Sequence, residues 1–186
     1  MKIALTGGIG SGKSFVCNLL RERGIEIFDC DSSAKYLMRN SDSLKSALKK
    51  AIGDDAYLPD GTLNKAYISR SLLESESNSN IINSIVHPAV AEHFLNSGLD
   101  WMECAILFES GFDRLVDKVV CVTAPLEIRI QRVMKRDNIS RSQALEWINK
   151  QMPQEEIIIR SDFCINNDGS NSLANQIDSL LNRINN

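Results

Sequence analysis

Gly7-Gly8-Ile9-Gly10-Ser11-Gly12-Lys13-Ser14 has the spacing G-x-x-x-x-G-K-[ST]. The chemistry of such a run is the cradling of phosphates. Glycines let successive backbone N–H groups converge on an anion, and a following helix adds the positive end of its dipole. In that arrangement Gly8, Gly10, Ser11 and Gly12 form the nest. Lys13 reaches the β- and γ-phosphates of a nucleoside triphosphate, and the Ser14 hydroxyl is a ligand for Mg²⁺. Phe15 continues the same binding stretch into the helix.

The flanks give the motif its context. Lys2 to Thr6 is a short apolar run that reads as a buried strand, and Phe15 to Arg23 reads as a helix stopped by Gly24. Four more segments read as strands of the same sheet: Ile25–Asp29, Cys104–Phe108, Lys118–Val122 and Phe163–Ile165. Each is short and apolar, as buried parallel strands are, and helical patterns lie between them. The pattern is α/β with a five-stranded parallel sheet, and ligands in such sheets bind at the carboxyl ends of the strands. Gly7, Asp29, Asp31, Glu109 and Asn167 all fall at or just beyond those ends.

Asp29 and Asp31 have two readings. A carboxylate beside the phosphate loop suits a hydroxyl that is to be phosphorylated. A carboxylate there also suits the N-cap of a helix starting near Ser32. Glu109 would end its strand as an acid that holds a Mg²⁺-bound water, or as a solvated strand-end acid. Arg132 and Arg136 share a helix face and suit either a transferred phosphoryl group or solvent. His87-Pro88, Trp101 and Trp147 mark nothing by themselves.

Composition bounds the rest. The chain has 186 residues, 43% hydrophobic and 24% charged, which is the make-up of an ordinary globular domain. A net charge of −3 argues against general nucleic-acid binding, and no apolar stretch approaches a membrane span. The strand begins directly after Met1, so no cleaved leader is expected. Five scattered cysteines form no C-x-x-C pair, which suits a reducing cytoplasm. Four of them sit in apolar stretches and read as core, with Cys30, between two aspartates, as the exception.

Two stretches are too long for simple crossovers. Residues from about 32 to 100 read as a mostly helical insert with a turn at Pro59-Asp60-Gly61, and Ser75 to Asn80 within it as a polar loop. Residues from about 126 to 161 carry Arg129, Arg132, Lys135, Arg136, Arg141, Lys150 and Arg160, and read as a basic lid over phosphates. That leaves a core of about 1–31, 101–125 and 162–186, in which Ser172 to Asn186 reads as a helix on the sheet.

With these residues assembled, the chain resembles the dephospho-CoA kinase family almost end to end. Leu5 to Ser14 matches the family's opening, Asp29-Cys30-Asp31 its D-x-D, Asp60-Gly61-Thr62-Leu63 its D-G-x-L turn, and His87-Pro88 its H-P dipeptide. Gln131-Arg132, Arg136 and Gln151 match its lid, and Asp162, Ile165, Asn167 and Gly169 its last strand and loop. The chain departs from the family at Phe15 (usually Thr), Ala105 (often Pro), Asn64-Lys65 (usually Arg) and Ser161 (commonly Ala).

The resemblance implies a P-loop NTPase fold of three α/β/α layers with a helical CoA-binding insert and a helical lid. It implies ATP as co-substrate, Mg²⁺, and dephospho-CoA phosphorylated at its ribose 3′-hydroxyl, the last step of coenzyme A synthesis. On it Asp31 acts on that hydroxyl, Lys13 holds phosphates, and Arg136 with Arg132 closes over them. Asn167 lies near the adenine, and His87 and Glu109 near the acceptor. Two rivals remain. One is another small-molecule P-loop kinase. The other is a GTP-dependent switch, for which Asn149-Lys150-Gln151-Met152 lacks the acid of N-K-x-D.

Overall fold

A computed structural model describes residues 1–184. Asn185 and Asn186, the end of the expected C-terminal helix, lie outside the described residues. The chain divides into two units, Met1–Phe28 with Leu99 onward, and Asp29–Gly98.

The first unit is built on a parallel sheet of five strands: β1 (Ile3–Thr6), β2 (Ile27–Asp29), β3 (Trp101–Glu103), β4 (Lys118–Thr123) and β5 (Phe163–Asn166). Their order is β2-β3-β1-β4-β5. β1 is central, paired in parallel with β3 (Leu5 opposite Glu103) and with β4 (Thr6 opposite Cys121). All four residues of β1 are buried, which is why it reads as an unbroken apolar run rather than an alternation. Helix α1 (Lys13–Arg21) and the C-terminal helix α9 (Leu173–Ile184) belong to this unit. Val16, Cys17, Leu20, Ile177 and Leu180 form one core with Ile3, Leu5, Val120, Val122 and Ile165.

The strand expected at Cys104–Phe108 is displaced. β3 ends at Glu103, and residues 106–112 turn back through Ser110 N–H to Ile106 C=O and Phe112 N–H to Leu107 C=O. The reason is the partner. Beyond Thr6, β1 gives way to the phosphate loop, so Cys104 is the last residue whose N–H finds a β1 carbonyl, that of Leu5. An apolar run with nothing to pair with is not a strand.

Three helices occupy the stretch read as a lid: α6 (Leu126–Asp137), α7 (Arg141–Asn149) and α8 (Gln154–Ile159). α7 opens on a capping box between Ser140 and Gln143. Ile130, Val133, Ala144 and Ile148 give α6 and α7 a small core of their own.

The second unit holds α2 (Cys30–Asn40), α3 (Asp42–Ile52), α4 (Lys65–Glu74) and α5 (Glu76–Asn96). α5 packs against the other three and buries Ile82, Val86, Val90 and Phe94. Pro88 sits inside it at the cost of one ladder hydrogen bond. The Pro59-Asp60-Gly61 turn is present, with Leu58 and Thr62 paired across it. The polar run expected to be a loop is instead the start of α5. Ser75 caps it by accepting from Asn78 N–H, because short polar side chains at a helix entry satisfy its orphan amides. Among the cysteines, Cys30 is buried and Cys164 is the exposed one, since Cys164 lies on an edge strand facing outward.

Asp29 is the cap of α2: its carboxylate accepts from the Ser32 N–H at 2.9 Å and the Ser32 hydroxyl at 2.8 Å. Asp29→Ala should therefore cost about 1 kcal/mol, read as a lower urea midpoint with an unchanged slope.

Candidate active site

The phosphate loop joins β1 to α1 and holds its own turn with the Ser11 N–H donating to Gly8 C=O at 3.1 Å. Gly12 is the N-cap of α1 and brings no side-chain cap bond, so the first amides of the helix stay open to an anion. Its φ of +96° is one L side chains rarely adopt, and a Cβ there would lie 2.1 Å from Asn167 Nδ2. Glycine is thus required twice over at this residue, by backbone and by space.

Lys13 donates from Nζ to Gly7 C=O at 2.7 Å. Burial pushes its ammonium pKa down, and the carboxylate of Glu103 is the leading influence the other way. Glu103, the last residue of β3, is the acid at the strand end beside β1. Glu109, expected in that role, is six residues past the strand on an exposed turn, where it accepts from the Met152 N–H at 3.4 Å. Trp101-Met102-Glu103 carried the missed signal: two large apolar residues closed by an acid, short enough to be overlooked.

Arg132 and Asn167 brace the loop from behind. Arg132 Nη1 donates to the carbonyls of Gly10 (3.3 Å) and Ser11 (3.2 Å), and Nη2 to Asn167 C=O at 3.0 Å. The buried Asn167 amide donates to Ser11 C=O at 2.8 Å. These two sequence-predicted residues and the loop are brought together. Arg136, one turn beyond Arg132, is exposed and paired with Asp137 at 2.8 Å. Ser14 and Phe15 are exposed on the first turn of α1, Phe15 at 56%. Among the described residues, Ser11 Oγ is a buried side-chain oxygen left without a hydrogen-bond partner. An open nest of amides, an orphaned hydroxyl and a half-buried ammonium fit the phosphates of a nucleoside triphosphate. The hard oxygens of Ser14 and Glu103 are of the kind Mg²⁺ takes.

Asp31 and His87 belong to the helical unit. With Asp29 committed to the cap, Asp31 stands exposed in the first turn of α2, weakly paired to Lys35 at 3.7 Å. His87 is half-buried on α5, and burial pushes its imidazole pKa below the ordinary value. α2 is tied to α5 within this unit by Ser33 Oγ against His93 Nδ1 at 2.8 Å.

A parallel sheet with a glycine loop after its central strand and a basic helix braced on that loop defines a P-loop kinase. A Thermus thermophilus protein of known crystal structure superposes with a TM-score of 0.83 at 30% identity, covering 99% of this chain and 97% of that one. A Campylobacter jejuni dephospho-CoA kinase (TM-score 0.70, 20% identity) and an Acinetobacter baumannii shikimate kinase (0.55, 16%) share the fold. The dephospho-CoA kinase family model matches residues 1–172. A Bacteroides fragilis dephospho-CoA kinase is 39% identical over 97% of this chain and 91% of its own, and a Salinibacter ruber one 37% over 90% and 89%. The chain belongs to the dephospho-CoA kinase family.

Gly12→Ala should raise the ADP dissociation constant at least about tenfold by titration calorimetry, with circular dichroism unchanged, because the added methyl displaces Asn167 and strains the backbone. His87 carries a pH signature. Its folded pKa lies below its unfolded one, so the unfolded chain holds more protons in the window just below pH ~6.5. Stability should fall as pH drops through that window, and His87→Gln should flatten that part of a melting-temperature profile.

Proposed function

We propose that this chain phosphorylates the ribose 3′-hydroxyl of dephospho-CoA with ATP, giving CoA and ADP. The observation that carries the reading is the braced glycine loop with Lys13 half-buried against it, in a chain that belongs to this family throughout its core. Lys13 and the loop amides hold the ATP phosphates. Mg²⁺, held by Ser14 and through water by Glu103, would neutralise charge on the β- and γ-phosphates.

Asp31 takes the proton of the 3′-hydroxyl as the ribose oxygen attacks the γ-phosphorus. The bond from phosphorus to the β–γ bridging oxygen breaks in line, and ADP leaves. Two features support Asp31 over its neighbour: Asp29 is occupied by Ser32, and Asp31 is exposed with only a loose ion pair to surrender. Arg136 meets the transferred group after leaving Asp137, and residues 126–161 act as the lid that brings it there. Arg132 and Asn167 flank the nucleotide, with Phe15 beside it. His87 and Glu109 line the acceptor site, and the Asp29–Gly98 unit binds the CoA moiety.

The reaction is tested by mass detection of products from Mg·ATP with dephospho-CoA, adenosine, AMP, CMP and shikimate. A single product, dephospho-CoA plus one phosphate, is expected; turnover of another acceptor instead overturns the substrate. Asp31→Asn should cut kcat on the order of 10²- to 10⁴-fold while ADP affinity holds. Near-normal turnover would remove Asp31 from the mechanism.

A further inference from the structure

Ile9, at the tip of the phosphate loop, is gripped on three sides by the segment that follows β4. Its N–H donates to Gln151 Oε1 at 2.6 Å. Its carbonyl accepts from Arg129 Nε at 2.9 Å. Its side chain packs against the small core of α6 and α7. The Arg129 guanidinium also lies against Gly8, close enough that a Cβ there would sit 2.3 Å from Nη2.

By spacing, Arg129 is one more cation on a basic helix. In the fold it is 5% exposed, while Lys135 and Arg136 of the same helix are in solvent. Burial pushes its guanidinium pKa down, and the field of Glu155 opposes that. Burying a cation is costly unless its donors are used, and packing alone would be served better by an apolar side chain. The donor that is used goes to the backbone of the phosphate loop.

We propose that Arg129 and Gln151 are positioning residues for ATP. They clamp the two ends of the Ile9 residue, amide and carbonyl, and so fix the direction of the neighbouring loop amides that meet the phosphates. Nucleotide affinity is thereby tied to the packing of α6 and α7. A loop that only recognised phosphate would need neither side chain. A clamp needs both, because a single hydrogen bond leaves the peptide free to swivel.

The inference rests on the reading that this loop holds ATP, and the experiment separates the two. ADP dissociation constants and steady-state constants are measured for the wild type, Arg129→Met, Arg129→Lys and Gln151→Ala. Failure of the wild type to bind ADP would remove the nucleotide reading itself. With the wild type binding, Arg129→Met should weaken ADP and raise KM for ATP by about tenfold or more, with the acceptor KM unchanged. Arg129→Lys should recover part of the loss, since an ammonium can still donate to the Ile9 carbonyl. A residue that merely packs would lower the melting temperature and leave both nucleotide constants alone. ADP affinity within about twofold of wild type in Arg129→Met therefore overturns the proposal. If that variant does not fold, Gln151→Ala decides on the same constants, since the partly exposed Gln151 is less needed for folding: a rise supports the clamp, no change overturns it.

Discussion

A phosphate-binding loop rich in glycine has few side chains with which to hold its own shape. The freedom that lets its amides converge on an anion is also freedom to collapse or swing away. In this chain the loop is held from outside. Arg132 and Asn167 bind the carbonyls of Gly10 and Ser11, and Arg129 and Gln151 bind the two ends of Ile9. Every one of these donors and acceptors comes from more than a hundred residues along the chain. The chain after β4 thus serves as scaffold for the loop as well as a source of cations.

Electrostatics impose the second constraint. Lys13 must stay charged in a place where burial disfavours charge. The Gly7 carbonyl and the Glu103 carboxylate answer that, and both arrive through the sheet: one at the end of β1, the other at the end of its neighbour β3. The register that sets Leu5 opposite Glu103 is therefore part of the site. The turn that follows β3 is held separately, by Arg160 stacked 4.0 Å over the Phe108 ring and paired with Asp113 at 3.6 Å.

The helical unit solves a different problem. Its entry carries two carboxylates one residue apart, and the helix needs only one of them. Asp29 answers the amide and hydroxyl of Ser32, which leaves Asp31 exposed with only a loose ion pair to Lys35. Tyr57, whose hydroxyl donates to Met38 C=O at 2.7 Å, and Ser33 with His93 fasten α2 to its neighbours, so the turn bearing Asp31 rests on a fixed helix.

Much of this was legible in the sequence because it depends on local rules. The glycine spacing, the buried run of β1, the strands near 118 and 163 and the turn at Gly61 follow from backbone permission and side-chain period. The family resemblance rests on those same residues. What misled was whatever depended on a partner. Cys104 to Phe108 is apolar enough for a strand, yet β1 had already turned away, so the strand and its terminal acid fell at Glu103. Ser75 to Asn80 is polar enough for a loop, yet a serine cap and a packed face made it a helix. Arg129 sits in a basic run, and only the tertiary fold shows that its charge is buried against a glycine loop. Composition and spacing determined which chemistry this chain carries. Pairing and burial, which join residues a hundred positions apart, decided where each side chain stands and what it touches.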